Sequence, residues 1–531
     1  MTARFLFVAI VVASGAAVHA EQLARGPYLQ NVSATSATLR WRTDVSSDSR
    51  VWLGTRPDSL AVVATGGDHG RNHELRITGL EPGTRYYYAI GSREAQLASG
   101  ADHFFETAPE DAEPTRIWVL GDSGTGTPEQ REVRDAYYAH AGAGETDLIL
   151  MLGDNAYERA SDSDYQVKLF DVYDRILRHA ALWPTFGNHE GYTASSELQT
   201  GPYYEVFSLP RDGEAGGVAS GTEAYYSFDY GNIHFVCLNS YDVSRAPDGP
   251  MLTWLRHDLA ANDRDWTIAF FHHPPYSKGS HDSDLNLLMT EMRTNALPIL
   301  EQYGVDLVLA GHSHAYERSV MLDGHYGRSR NLRPDMILDD GNGRPGGTGA
   351  YAKPAPGLVS HAGAVYAVVG SSGEAKAGEL DHPVMRTSMS VLGSMVLDID
   401  GNRLDATQLD NTGAAIDRFT IVKSVDPASN SAPSVSITTP VDGASFAQRA
   451  SIRIAASAED RDGRVARVDF YAGDSLLGTD STEPFEFVWQ DAGPGSHALK
   501  AVARDDDGAT STSPPRAIRV AFAPDWNVTR P

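Results

Sequence analysis

One cysteine, Cys237, stands in 531 residues. That shortage excludes an intramolecular disulfide framework and any thiolate zinc cluster. Positive charge is also scarce: 44 Lys+Arg face 70 Asp+Glu, a formal net charge of −26. A protein that coats nucleic acid needs a basic footprint to displace counterions from phosphates, so that class is excluded. Small phosphorylated substrates are not excluded, because a metal-lined cleft can be locally positive on an acidic body. Long apolar runs are missing too, apart from the N-terminus. There Arg4 precedes the apolar stretch Phe5–Val12, and Val18-His19-Ala20 places small residues where a signal peptidase reads. Residues 1–20 are therefore expected to be a signal peptide cleaved before Glu21. The mature protein is expected to be secreted or periplasmic, with no membrane span.

Against the single Cys stand 18 His, 13 of them between Asp122 and His382. Any metal should therefore be held by imidazoles, carboxylates and amides. With 41% hydrophobic residues the chain can bury proper cores. Residues 21–110 read as all-β, in short alternating runs punctuated by turns, with Trp41 as core aromatic. The turn Glu81-Pro82-Gly83 leads into a strand whose Tyr86, Tyr88 and Ile90 share a face, which resembles the tyrosine-corner strand of fibronectin type III sandwiches. Residues 111–423 change style. Apolar β-like runs alternate with helical patterns at Glu129–Ala141, Asp164–Ala180 and Leu252–Ala261, which predicts an α/β layered domain. Residues 424–433 are a Ser-, Pro- and Asn-rich linker. Strands return over 434–531, in a module resembling bacterial Ig-like domains, where the acidic turns at Asp460–Gly463 and Asp505–Gly508 read as plain turn chemistry. This module is the candidate contact for a glycan or a cell surface.

The informative feature is what terminates the apolar runs of the middle domain. Ile117–Leu120 ends in Gly121-Asp122-Ser123-Gly124, and Leu148–Leu152 ends in Gly153-Asp154-Asn155-Ala156-Tyr157. Pro184–Phe186 leads into Gly187-Asn188-His189-Glu190. Ile268–Phe271 ends in His272-His273-Pro274-Pro275-Tyr276, and Val305–Ala310 in Gly311-His312-Ser313-His314. Five buried-looking strands each deliver Asp, Asn or His at the carboxyl end, the edge of an α/β sheet where ligands bind. Two carboxylates, one amide, three imidazoles and a phenol can hold two metal ions with one carboxylate bridging. Such a pair generates a hydroxide nucleophile near neutral pH and neutralises charge in an in-line displacement at phosphorus. Tyr and Asp are hard, anionic ligands that favour a trivalent ion, whereas a His/Asn-rich position suits Zn²⁺, Mn²⁺ or Fe²⁺.

The motifs GDxG, GDxxY, GNHE, HxPxY and GHxHAYER occur in that order, and on them the chain resembles a purple acid phosphatase of the calcineurin-like metallophosphoesterase superfamily. The resemblance implies a fibronectin III-like β-sandwich, an α/β four-layer metallophosphoesterase sandwich and, after them, the Ig-like β-sandwich. It implies that Asp122, Asp154, Tyr157 and His314 hold a first metal, typically Fe³⁺. Asp154 then bridges to a divalent ion completed by Asn188, His272 and His312. His189 and His281 would contact phosphate, and either is a candidate acid for the leaving group. A second His often follows the one at 281 in this family; Asp282 stands there here. The implied activity is hydrolysis of phosphate monoesters of small molecules by attack of metal-bound hydroxide. The alternative is a phosphodiesterase or nucleotide phosphohydrolase using the same centre. His325, His361 and His382, and the Gly/Pro-rich segment 339–357, are candidates for the rim of the site. Cys237 and His234 are expected to be sheet residues, Cys237 an inert buried thiol.

Overall fold

The computed structural model describes residues 21–142, 146–345, 347–354, 357–424, 432–460, 464–473, 475–505 and 509–521. The expected signal peptide, most of the expected linker, and residues 461–463 and 506–508 of the two acidic turns lie outside the described residues.

The middle domain is built on two seven-stranded sheets packed face to face. In one, the parallel strands Thr115–Leu120, Leu148–Met151 and Ala181–Pro184 are continued by the antiparallel strands Gly393–Asp400, Arg403–Asp410 and Ala415–Ser424. In the other, Ile233–Cys237, Trp266–Phe271, Leu307–Ala310 and Val365–Val369 run parallel. Side chains alternate across a strand, and the second sheet uses both faces for burial. Ile233, Phe235, Ile268, Phe270, Leu307 and Leu309 join the core shared with the first sheet. Val236, Ala269, Phe271 and Val308 instead meet Leu252, Leu255 and Leu259 of helix Pro250–Ala261 and Leu297 and Leu300 of helix Leu297–Gln302. Across the sheet–sheet seam, Trp183 stacks on Phe228 with ring centroids 3.7 Å apart. On the far side of the first sheet, Trp118 stacks on Tyr137 of helix Pro128–Ala141 at 4.1 Å. Helix, sheet, sheet and helix are the four layers expected. Cys237 is fully buried, and burial pushes its thiol up to about 12.

The helical pattern at 164–180 folds as Asp162–Tyr165, a π-turn at Gln166–Phe170 and Asp171–Leu177. The loosened turn has a local cause, since Gln130 Nε2 donates to Lys168 O at 2.7 Å.

The N-terminal strands, joined in one six-stranded sheet, form one packed unit with the middle domain, because Tyr28, Leu29 and Tyr88 belong to the same core cluster as Phe170 and Leu182. Tyr86 Oη accepts from Glu81 N–H at 3.0 Å, the tyrosine-corner bond that the sequence suggests. Tyr28 donates to Val206 O at 2.7 Å and Tyr88 to Arg178 O at 2.7 Å. The C-terminal module has a three-stranded and a six-stranded sheet around a core of its own, which includes Ile454, Phe470 and Leu499. An ion pair between Arg464 and Asp400 ties it to the middle domain.

Candidate metal centre

The carboxyl ends of Thr115–Leu120 and Leu148–Met151 in one sheet meet those of Trp266–Phe271 and Leu307–Ala310 in the other. Gly311 N–H donates to His272 O at 3.0 Å, linking two of these ends. The turns are tight. Asp122, Asp154 and His312 take left-handed φ values of +53°, +51° and +64°, which side-chain-bearing residues adopt where the surroundings over-determine them. Two glycines make the close approach feasible. A Cβ at Gly311 would lie 2.4 Å from Asp122 Oδ2, and one at Gly187 would lie 2.3 Å from Asp154 N and Oδ1.

Two groups of donor atoms result. In the first, Tyr157 Oη lies 3.2 Å from Asp122 Oδ1 and 3.2 Å from His314 Nε2, and His314 Nε2 lies 3.5 Å from Asp122 Oδ1. In the second, Asn188 Oδ1 lies 3.0 Å from both His272 Nε2 and His312 Nδ1. Asp154 stands between them, with Oδ2 at 3.6 Å from His272 Nε2 and its charge bearing on Tyr157. All seven expected ligands are thus brought together from five loops.

The donor chemistry fits two cations. Ligands about 2.1 Å from one ion stand about 3.0 Å apart in an octahedron and about 3.4 Å apart in a tetrahedron, which is the spacing of both groups. His272 gives its Nδ1–H to Leu152 O at 2.8 Å, so Nε2 of the neutral ring is an acceptor. It nevertheless faces the acceptor Asn188 Oδ1, and either a proton on Nε2 or a metal cation between the two reconciles them. Burial, then the charges of Asp122 and Asp154, raise the Tyr157 phenol well above its ordinary value, so ionising it here calls for an adjacent cation. Burial lowers His272, but Asp154 and Asp122 raise it further, for a net upward shift. His312 is driven well below its ordinary value by burial and by His273, His272, His281 and His314, which keeps it a neutral ligand.

His189 sits at the mouth. Its backbone N–H donates to Asp154 Oδ1 at 2.9 Å, and its Nδ1 is bonded to Glu158 O, so Nε2 is left toward the centre, 3.9 Å from Asp154 Oδ2. The His281 ring stacks on His312 with centroids 4.0 Å apart. Burial, followed by His314, lowers its pKa. His273 is buried beside the ligands and pairs through Nδ1 with Ser240 Oγ at 2.9 Å.

Several supporting residues escape a motif-level reading. Glu190, fully buried, accepts from the N–H groups of Asp154 (3.1 Å), Asn155 (2.9 Å) and Gly187 (2.8 Å) and so shapes both ligand turns. Burial and the Asp154 charge raise it to about 7. Its place in Gly187-Asn188-His189-Glu190 was the available signal. Glu374 Oε2 lies 3.3 Å from His314 Nδ1 and 2.8 Å from Lys376 Nζ, while Lys376 N–H donates to His314 O at 2.8 Å. No sequence pattern marks residues 371–376. They border the site because Val365–Val369 is a further parallel strand ending at the same edge.

The rim expectations need correction. The described residues of segment 339–357 pack elsewhere: Arg344 pairs with Asp417 at 2.9 Å, and Gly343 abuts Tyr351 and Phe419. Parallel pairing of Tyr351–Pro354 with Ala415–Ser424 carries it to the edge of the first sheet. His325 and His382 are buried against Tyr276, with ring separations of 5.5 and 5.6 Å. His361 pairs with Asp323 at 2.9 Å and donates its backbone N–H to Glu301 O, beyond the opposite end of strand Leu307–Ala310.

Residues 115–316 match the family described as calcineurin-like phosphoesterase. Residues 26–107 match the purple acid phosphatase N-terminal domain, and residues 433–501 match a bacterial Ig domain. Fold and site together therefore define a calcineurin-like phosphoesterase core with a β-sandwich on each side in sequence. Purple acid phosphatase 18 of Arabidopsis thaliana is 30% identical over 342 residues, 60% of this chain and 71% of its own. The chain belongs to the purple acid phosphatase family. Purple acid phosphatase 23 of the same plant is 34% identical over 277 residues, 46% of this chain; the chain spans 57% of that relative and 49% of purple acid phosphatase 15, about half the length of each. In fold, it is similar to purple acid phosphatase PPD1 from yellow lupin (Lupinus luteus) seeds, with a TM-score of 0.58 at 17% identity, over 76% of this chain and 74% of that one.

Proposed function

We propose that this protein is an exported acid phosphatase that hydrolyses phosphate monoesters of small molecules at a dinuclear metal centre. The observation that carries this reading is the pair of donor groups, Asp122–Tyr157–His314 and Asn188–His272–His312, with the Asp154 carboxylate between them. The oxygen-rich first group suits Fe³⁺, and the second suits Zn²⁺, Mn²⁺ or Fe²⁺. When bound, the two ions supply Lewis acidity for a phosphoryl oxygen and lower the pKa of water.

The chain's own groups do the rest. Glu190 fixes the turns that present Asp154 and Asn188. Leu152 O orients the His272 ring, and Glu374 borders the His314 ring. His189, anchored through Nδ1, is placed to hand a proton from Nε2 to the departing alcohol oxygen. His281, stacked on His312, is placed to contact the phosphate.

The test is Asp154→Ala, assayed for bound metal and for turnover of a phosphate monoester and its matching diester. Loss of about one metal equivalent with at least a thousandfold fall in kcat/KM on the monoester is expected. Activity that survives with metal content intact removes this site from the reaction. A wild-type preference for the diester overturns the monoesterase assignment in favour of a phosphodiesterase. N-terminal sequencing of the mature protein tests export, with Glu21 as the expected first residue.

A further inference from the structure

Beside His189, the mouth of the site carries two side chains that the reaction leaves unused. Tyr192 is 55% exposed, although an aromatic ring gains most by burial. Its ring meets the His189 ring edge-on, with centroids 5.5 Å apart. The exposed guanidinium of Arg159 stands 5.4 Å from the centre of the Tyr192 ring, and Arg159 makes no ion pair among the described residues. Both backbones are pinned. Thr193 Oγ1 donates to Arg159 O at 2.8 Å and to Ala160 O at 3.0 Å, locking the loop after Tyr157 onto the 3₁₀ turn Glu190–Tyr192. A guanidinium with no carboxylate partner among the described residues and an exposed ring are therefore held at one flank of the mouth of a chain with net charge −26.

We infer that Tyr192 and Arg159 form a leaving-group subsite that selects phosphate monoesters of planar aromatic alcohols. The inference rests on the phosphatase reading above. With phosphorus at the donor groups and the bridging oxygen at His189 Nε2, the organic group leaves across the Tyr192–Arg159 flank. A planar ring can stack there on the phenol or the guanidinium, whereas a flexible alkyl chain has no face to offer. Stacking on an exposed aromatic is worth about 1–3 kcal/mol per ring, or roughly 5- to 150-fold in binding. Because it is felt equally before and during reaction, it acts on KM and leaves kcat alone.

The experiment uses the metal-loaded full-length protein with 1-naphthyl phosphate and glycerol 2-phosphate as paired substrates. In Tyr192→Ala the ratio of kcat/KM for the aryl over the alkyl ester should drop about tenfold, through KM for the aryl ester. Tyr192→Phe should restore the ratio, and Arg159→Gln should lower it by a smaller factor. Taking each ratio relative to wild type cancels the better leaving ability of naphthol. Wild-type turnover of both esters with a ratio unchanged within twofold in Tyr192→Ala overturns the subsite alone. A ratio that falls through kcat also overturns it, because that marks a disturbed His189. Wild-type protein that turns over neither ester overturns the phosphatase reading and the subsite with it.

Discussion

Tyr157 is held by its neighbours in a way that makes its proposed ligand role testable by eye. Its hydroxyl stands 3.2 Å from both Asp122 Oδ1 and His314 Nε2, in a setting where burial and two carboxylates oppose ionisation. A phenolate there needs a highly charged cation beside it, and phenolate bound to Fe³⁺ absorbs visible light by charge transfer. Protein produced with iron available should be coloured, and Tyr157→Phe should bleach it while Asp122, Asp154 and His314 retain metal. A visible spectrum with metal analysis checks this; a colourless wild type holding only zinc or manganese rules out the ferric assignment. The candidate ligands were legible as residue types because each ends an apolar run. Glu190 was less so, since a buried carboxylate that receives three backbone N–H groups looks in sequence like any other Glu.

At the scale of elements, strand ends place the chemistry and buried charges fasten strands to helices. His234, on strand Ile233–Cys237, points to the helix side, where Nε2 meets Asp258 of helix Pro250–Ala261 at 2.8 Å and Nδ1 meets Asp229 at 2.7 Å. Burial alone would lower this imidazole, but the two carboxylates lift it to about 9. The folded state therefore binds a proton that the unfolded chain releases at about 6.5. The resulting stabilisation is complete below pH 6.5 and is lost as pH rises through about 9, a contribution of up to about 3 kcal/mol. Denaturant unfolding at pH 6.5 and at pH 9.5 should show wild type losing more stability than His234→Gln over that interval. Equal losses would remove His234 from the pH dependence. Sequence placed His234 on a strand, but its partners lie at Asp229, across a hairpin, and at Asp258, one helix away, and periodicity does not pair such positions.

For the whole molecule, the N-terminal sandwich and the middle domain share one core, so the unit that carries the candidate metal centre includes both. Gln30 is one of the buried polar joints between them: Nε2 donates to Leu182 O at 2.6 Å and Oε1 accepts from Ser208 N–H at 3.0 Å. Gln30→Ala strands both backbone groups and should destabilise the unit by about 2–6 kcal/mol, at roughly 1–3 kcal/mol for each unmet buried group. Calorimetry should show the main unfolding transition move down. A shift confined to a separate, smaller transition would mean that the two domains unfold independently. The C-terminal module, with its own core, should be unaffected.

Local chemistry determined what could be read along the chain. Alternation and turn residues marked the β modules, apolar runs closed by Gly-Asp, Asn-His and His-x-His marked the strand ends, and one Cys among 18 His dictated oxygen and nitrogen ligands. Only the tertiary structure decided which strand ends face one another. Two sheets meet along a seam, so His314, His272 and Asp122 approach within a few ångströms although the chain separates them by tens to hundreds of residues. The same packing brought residues 371–376 to the rim and carried Arg344 and strand Tyr351–Pro354 away from it. A rim is defined by which sheet edge a loop leaves from, and that is set by non-local pairing whose partners no single segment specifies.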